Sequence, residues 1–392
     1  MKRFLWRALL ILVLLYAAAT TYRFGSRKYY VWAPDYIRWS MAPAEAVTGP
    51  VHVMFFYTDH FEPGENVDRT LRWERAYAPL AARHRDSSGR VLQHTWFYPG
   101  EQLIDRNLAA LARLTAGGYG EVELHYHHHD DTNASTEAKF REAIAAFQKF
   151  GFLKAADGRT QFAFIHGDWG LDNSLGPKFC GADRELELLR KLGAFADFTF
   201  ASLWNDAQPS LVNSIFAATD DDRPKSYDRG TPFRVGQEVQ GDLTIFEGPL
   251  VVAPSSNWKR MFWEVEDADI HPAIRTTPAR ADLWVKADIH VAGRPEWIFV
   301  KVFGHSASSE ADMNETLGPN FENTLHYMET HYNDGTRYVL HYVTAREAYN
   351  VARAAAAGKQ GDPRQYFDWL IPPYEANRPA TALTASSPRK TP

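Results

Sequence analysis

Between residues 51 and 200, five short apolar runs alternate with four stretches of helical spacing, and this rhythm leaves few folds open. The runs are Val51–Tyr57, Val91–Tyr98, Glu121–His127, Phe162–His166 and Asp197–Phe200. The helical stretches cover 67–84, 102–116, 136–150 and 185–192. In the second of them Leu103, Leu108, Leu111 and Leu114 recur at helical spacing, and Gly117-Gly118 is a C-terminal stop. Apolar runs of this length suit strands covered on both faces, and their regular exchange with helices predicts a parallel α/β sheet, open or closed into a barrel. The rhythm resumes late in the chain. A strand over Trp297–Phe303 is followed by a helix over 314–332, a strand over Arg337–Tyr342 and a helix over 344–357, with Thr344 as N-cap.

The rest of the chain divides around this body. Residues 1–23 begin with a basic segment, Met1 to Arg7, and continue with an uninterrupted apolar run from Ala8 to Ala19. That order is the signature of an export signal or of a single-pass anchor with its N-terminus inside. Ala17-Ala18-Ala19 would also permit cleavage. In either case the body lies outside the cytoplasm, held at the inner membrane on its periplasmic side if the segment is an anchor. Residues 24–47 form an aromatic connector that packs on the domain or rests at the membrane interface. The body spans 48–375, interrupted at about 213–296 by a glycine-punctuated, β-rich insertion with Trp258, Phe262, Trp263 and Trp284, which serve as a small core or as a sugar-stacking wall. Residues 376–392 are rich in Pro, Ser, Thr and Ala, a composition that predicts disorder.

Two functions are disfavoured by composition. With net charge −5 and no dense Lys/Arg face, nucleic-acid binding has no electrostatic support. The single cysteine, Cys180, rules out an intrachain disulfide framework and, by the same count, a cysteine-based zinc site.

The polar residues that end the apolar runs are where ligands bind in parallel sheets and barrels. The densest group is His125 to Asp131, with four histidines and two aspartates. On a strand His125, His127 and His129 share a face; if the chain turns after Tyr126, His125 and His129 can still converge on one ion. Imidazole with carboxylate suits a divalent metal, zinc or one of its first-row neighbours. Asp59-His60 ends the first run, where a carboxylate can bind metal or act as general base. His305 follows a glycine-terminated strand and is a candidate general acid. His166, Asp168 and Trp169 offer a carboxylate and an aromatic platform to a substrate. His94, His271, His326, His331 and His341 have no polar company in the sequence and receive no role.

Taken together these residues resemble the polysaccharide deacetylase family, the NodB-homology esterases built on a distorted (β/α) barrel. The family's first motif, an Asp-Asp pair, corresponds to Asp59-His60. Its second, Gly-x-Glu followed by His-Ser/Thr-x-x-His, corresponds to Gly120-Glu121 with His125 and His129. Its closing strand-end histidine corresponds to His305, and its last helix to Thr344-Ala-Arg-Glu347. The likeness departs at His60, which replaces an aspartate, and at His166-Gly-Asp-Trp169, which stands where the family has Arg-Pro-Pro-Tyr. The resemblance implies Asp59 as base, His305 as acid, and His60, His125 and His129 as metal ligands. It implies a metal-dependent hydrolase that removes acetyl groups from an extracytoplasmic polysaccharide or oligosaccharide. Two other readings fit the same residues. One is a glycoside hydrolase using Asp59 with Asp168 or Asp172; the other is a membrane-tethered, inactive glycan-binding protein.

Overall fold

The computed structural model describes residues 2–255 and 262–377. Helix α1 (Lys2–Ser26) and helix α2 (Ala33–Met41) precede the body. The alternation then runs β1 (Val51–His60), α3 (Val67–Arg83), β2 (His94–Pro99), α4 (Asp105–Ala116), β3 (Gly120–Tyr126), α5 (Asn133–Gln148), β4 (Phe162–His166), α6 (Glu185–Leu192) and β5 (Ala194–Asp197). Next come β6 (Ser214–Ala218), β7 (Thr231–Pro232), β8 (Leu243–Glu247), the hairpin β9 (Val251–Pro254) and β10 (Trp263–Glu266), β11 (Asp269–Ile270) and α7 (Pro278–Lys286). The chain returns through β12 (Trp297–Gly304), α8 (Glu310–Thr316), α9 (Pro319–His331), β13 (Tyr338–Tyr342) and α10 (Ala345–Ala356).

The protein is thus an α/β fold around one mostly parallel sheet of 11 strands, ten in the order β11-β12-β1-β2-β3-β4-β5-β8-β6-β7 and the eleventh, β13, paired with β1 off this path. Strand β1 is its axis. It pairs in parallel with β12 along nearly its whole length, with β13 through Val51–Phe55, and with β2 through Thr58–His60. The β-rich stretch at 213–296 is not wholly an insertion. Strand β8 lies parallel to β5 within the main sheet, and β6 pairs antiparallel with β8. The β character of Leu243–Phe246 is plain in the sequence, but the glycines around it read as the punctuation of an insertion and obscure its place in the main sheet. The long helix expected over 314–332 is two, because Gly318-Pro319 breaks it.

Two cores follow from strand alternation, which sends neighbouring side chains to opposite faces. On the outer face Val53, Phe55, Tyr57, Trp96, Tyr98, Val122 and Leu124 pack under α3, α4 and α5. On the inner face Met54, Phe56, Phe97, Ile165 and Phe299 meet each other and the small residues of α10. Thr344 caps α10 in a capping box with Glu347, as the sequence predicts. The same helix is fastened to β3 by Glu121, which accepts from Arg346 Nε at 2.8 Å and from Thr344 Oγ1 at 2.6 Å. Across the interior, Lys301 of β12 donates to the Phe246 carbonyl of β8 at 3.1 Å, and Phe246 packs 6.1 Å from Phe299. The sheet therefore curls until distant strands touch.

Helix α1 is 25 residues long, carries no buried residue, and is long and apolar enough to cross a membrane or to serve as a signal sequence. The connector after it packs on the domain. Tyr29 and Trp32 are buried with Leu203, Val212 and Leu250, while Arg23 lies 3.9 Å over the ring of Trp263. The predicted disordered tail lies outside the described residues from position 378 on, as does Trp258.

Candidate metal centre and cleft

The carboxyl ends of β1, β3 and β12 meet at one place. Along β1 the inner face holds Met54 and Phe56, so two steps on from Thr58 the ring of His60 also points inward. Just past the strand, Glu62 turns back toward it. On β3 the inward series Glu121, Glu123 ends in His125. His60, Glu62 and His125 each bring a ligand-type atom within 4.8 Å of the others, and both histidines are buried. His305, after β12, sets its ring 4.5 Å from that of His60, tilted by 34°. His127 stands 4.5 Å from His125, ring to ring.

The hydrogen bonds of His125 suit a cation. Its Nδ1–H donates to the Ile165 carbonyl at 2.9 Å, which leaves Nε2 as the nitrogen turned to the group. That nitrogen faces the Glu62 carboxylate at 2.7 Å. Only a second ring proton or a shared cation can join the two, and a ring oriented by a backbone carbonyl is how metal-binding histidines are held. Burial depresses His60 well below the usual imidazole range, and the nearby His305, His125 and His127 add to this, so its ring is neutral at pH 7. Burial alone would raise Glu62, but its hydrogen bond to His125 and the neighbouring imidazoles bring it down to about 2, so it is ionised. Two imidazoles and a carboxylate fit zinc or a first-row relative, and this group can hold a metal ion.

A cleft of about 500 Å³ opens above the group, lined by Glu62, Trp169, Trp204, Phe303, His305 and the carboxylates Asp267, Asp269 and Asp312, among others. Burial lowers His305 below its ordinary value. Asp267 and Asp269 are both raised to about 7, first by burial and then by neighbouring acids. A second groove shares Trp204, Asp267 and Asp269 with the cleft and is lined on one side by Ala19, Tyr22 and Arg23 of α1.

Several sequence expectations change here. Asp59 does not face the cleft. It lies one step from His60 on a strand, so its side chain points outward and is fully buried. There its carboxylate accepts from His94 Nε2 at 2.9 Å, from the Ser306 backbone N–H at 2.8 Å, and from the Ser306 hydroxyl. Asp59 thereby positions the residue after His305, and His94, which had received no role, is its partner. His129 is not brought to the metal group. The chain leaves β3 at Tyr126 and reverses at Asp130, whose φ is 51°, leaving the His129 side chain 76% exposed against Asp130 alone. Glu62 takes the place expected of His129; an acid two residues after a strand-end histidine was the available signal.

Trp169 does line the cleft, its ring 6.4 Å from those of His60 and His305. Asp168 is exposed at the loop with φ 53°. His166 is fully buried on the outer face and contacts His128, Glu185 and Gly167 instead of the cleft. Asp172 is also buried, accepting from the Ser226 N–H at 2.7 Å, so neither it nor Asp59 stands as one of two carboxylates across a glycosidic bond. His341 pairs with His52 at 2.8 Å, so it too has polar company. No protein-family model matches the chain, and no curated protein matches it.

Proposed function

We propose that the chain is a metal-dependent hydrolase of the polysaccharide-deacetylase type, removing acetyl groups from a glycan at the outer face of the inner membrane. The observation that carries this reading is the cluster of neutral His60, ionised Glu62 and oriented His125, which reaches through Glu62 into a cleft walled by His305 and Trp169. The curl of the sheet, with β12 touching β8 across the interior, supports a distorted barrel. His60, Glu62 and His125 would hold the ion, zinc or a first-row neighbour, and the ion would supply Lewis-acid polarisation of the acetyl carbonyl.

The other steps belong to side chains. His305 is neutral at pH 7, so it accepts a proton from the attacking water. The Asp267/Asp269 pair retains protons near neutrality and shares the same cleft, which suits it to protonating the departing amine or alcohol. Trp169 and Trp204 offer ring faces to a sugar. Continuity of the cleft with the groove beside Ala19 and Tyr22 fits a substrate presented at the membrane surface. The test is acetate release from acetylated glycans by the full-length protein in detergent. Release that chelator abolishes and zinc restores is the expected result; release unchanged by chelator and by Glu62→Gln overturns the reading.

A further inference from the structure

We propose a second metal site, distinct from the cleft, in which His128, His166, Cys180 and Glu185 enclose a structural zinc or similar first-row ion. All four are buried, and their ligand atoms lie within 4.8 Å of one another. They come from four segments: the turn after β3, the end of β4, the loop that follows it, and the first turn of α6.

The spacings are those of a coordination shell. His128 Nε2 lies 2.9 Å from Glu185 Oε1 and 3.0 Å from His166 Nε2. Glu185 Oε2 lies 3.6 Å from His166 Nε2 and 3.5 Å from Cys180 Sγ. Donors about 2.0–2.3 Å from a tetrahedral ion stand about 3.3–3.6 Å apart, so a few tenths of an ångström of opening admits one. Four protein donors with no open position is the pattern of a structural site.

The surroundings aim these atoms inward. His166 Nδ1–H donates to the Gly167 carbonyl, and His128 Nδ1 lies 3.2 Å from Asp131 Oδ2, an ion-pair distance without hydrogen-bond alignment. Each ring thus has its outer nitrogen set against an oxygen and its Nε2 turned toward the other ring and a carboxylate, an arrangement typical of ligating histidines. The sulfur receives the backbone N–H groups of Asn173 and Ala182, each at 3.3 Å, and the second Glu185 oxygen receives that of Asp172 at 2.7 Å. Burial and the Glu185 carboxylate push the thiol up, so the sulfur ligates only where the ion displaces its proton, and the two N–H groups hold it in place for that. Thiolate and carboxylate together balance the charge of a divalent ion. The single cysteine does not exclude a zinc site after all, because the remaining donors are His and Glu. Such an ion would fasten the loop carrying Trp169 to the strand carrying His125.

The experiment uses the full-length protein in detergent, loaded with zinc or with cobalt. The expected wild-type result is two metal equivalents, a thiolate-to-cobalt charge-transfer absorption, and one sulfur neighbour in the zinc X-ray absorption spectrum at about 2.3 Å. Because Cys180 is the only cysteine, a thiolate signal identifies this site without any variant. Cys180→Ser should lose the thiolate absorption and one equivalent. Glu62→Gln should keep the absorption and lose the other equivalent, so failure of the cleft reading and failure of this one are distinguishable. A wild type that binds metal with no sulfur neighbour, or binds none after zinc loading, overturns the proposal: the four side chains are then held by protons alone.

Discussion

Glu62 Oε1 lies 2.7 Å from His125 Nε2, joining the segment after β1 to the end of β3 through one carboxylate and one imidazole. Because the His125 Nδ1–H is already given to Ile165, the Glu62 charge is what draws a cation to the group. Glu62→Gln keeps the shape and removes the charge. Affinity for zinc in the cleft should fall by at least about tenfold, and acetate release with it. His129→Ala should change neither, since that ring is exposed and meets only Asp130. Competition against a chelator of known affinity, run on both variants beside wild type, separates the two outcomes.

Asp59 predicts a different phenotype. Its carboxylate is buried behind His94, whose ring packs on Trp73 and Tyr77, and satisfies three donors, two of them from Ser306. Asp59→Ala leaves His94 and the Ser306 N–H buried without an acceptor, at a cost on the order of 3 kcal/mol. Ser306→Ala removes one donor and costs about 1 kcal/mol. Both should lower the thermal midpoint and the turnover number while the metal content of the cleft stays at the wild-type value. Loss of the cleft metal in Ser306→Ala would instead place Asp59 within the metal site.

How far the sequence reached can be read from these same residues. The parallel sheet was legible because apolar runs and helical stretches alternate with short connections, a signal set by local burial. His60 and His125 were legible because strand ends in such sheets carry the chemistry. Asp59 was misplaced although the rule that places it is local: adjacent strand residues face opposite ways, so Asp59 and His60 cannot both face inward. His129 failed for another reason, since the turn at Asp130 breaks the alternation just after β3 ends. Glu62 carried only a local cue, its place two residues after His60, while Asp267 and Asp269 were silent in the sequence, because their significance comes only from the curl that brings distant segments to one cleft. Leu243–Phe246 was legible as a β piece, but not as a strand of the main sheet, since its pairing with β5 and its contact with Lys301 are long-range.

His341 gives the fold an acid-sensitive point remote from the cleft. Burial, reinforced by His52 at 2.8 Å, holds it down to about 3. The unfolded chain takes up this proton near pH 6.5 while the folded chain does not, so stability falls as pH drops from about 6.5 toward 3. Over the whole window the effect is on the order of 5 kcal/mol for this fully buried ring. His341→Gln should flatten this part of the acid limb, measured as urea midpoints between pH 7 and pH 4. An unchanged slope would mean that other groups dominate it.

Asp269 carries the opposite sign. Burial and the neighbouring acid Glu266, partly offset by Arg280, raise its carboxyl to about 7, whereas in the unfolded chain it titrates near 3.9. Between about 4 and 7 the folded state therefore binds the extra proton, and stability falls as pH rises across that window. Asp269→Asn mimics the protonated form without being able to release the proton. Its stability should match wild type near pH 4 and exceed it at pH 8, because the asparagine avoids ionisation in a site that disfavours charge. Activity should move the other way. If the Asp267/Asp269 pair protonates the leaving group, wild-type turnover declines as pH rises through about 7, and in Asp269→Asn it is low throughout. A variant that gains alkaline stability and keeps wild-type turnover would show that the pair shapes the cleft without donating the proton, leaving that step to His305.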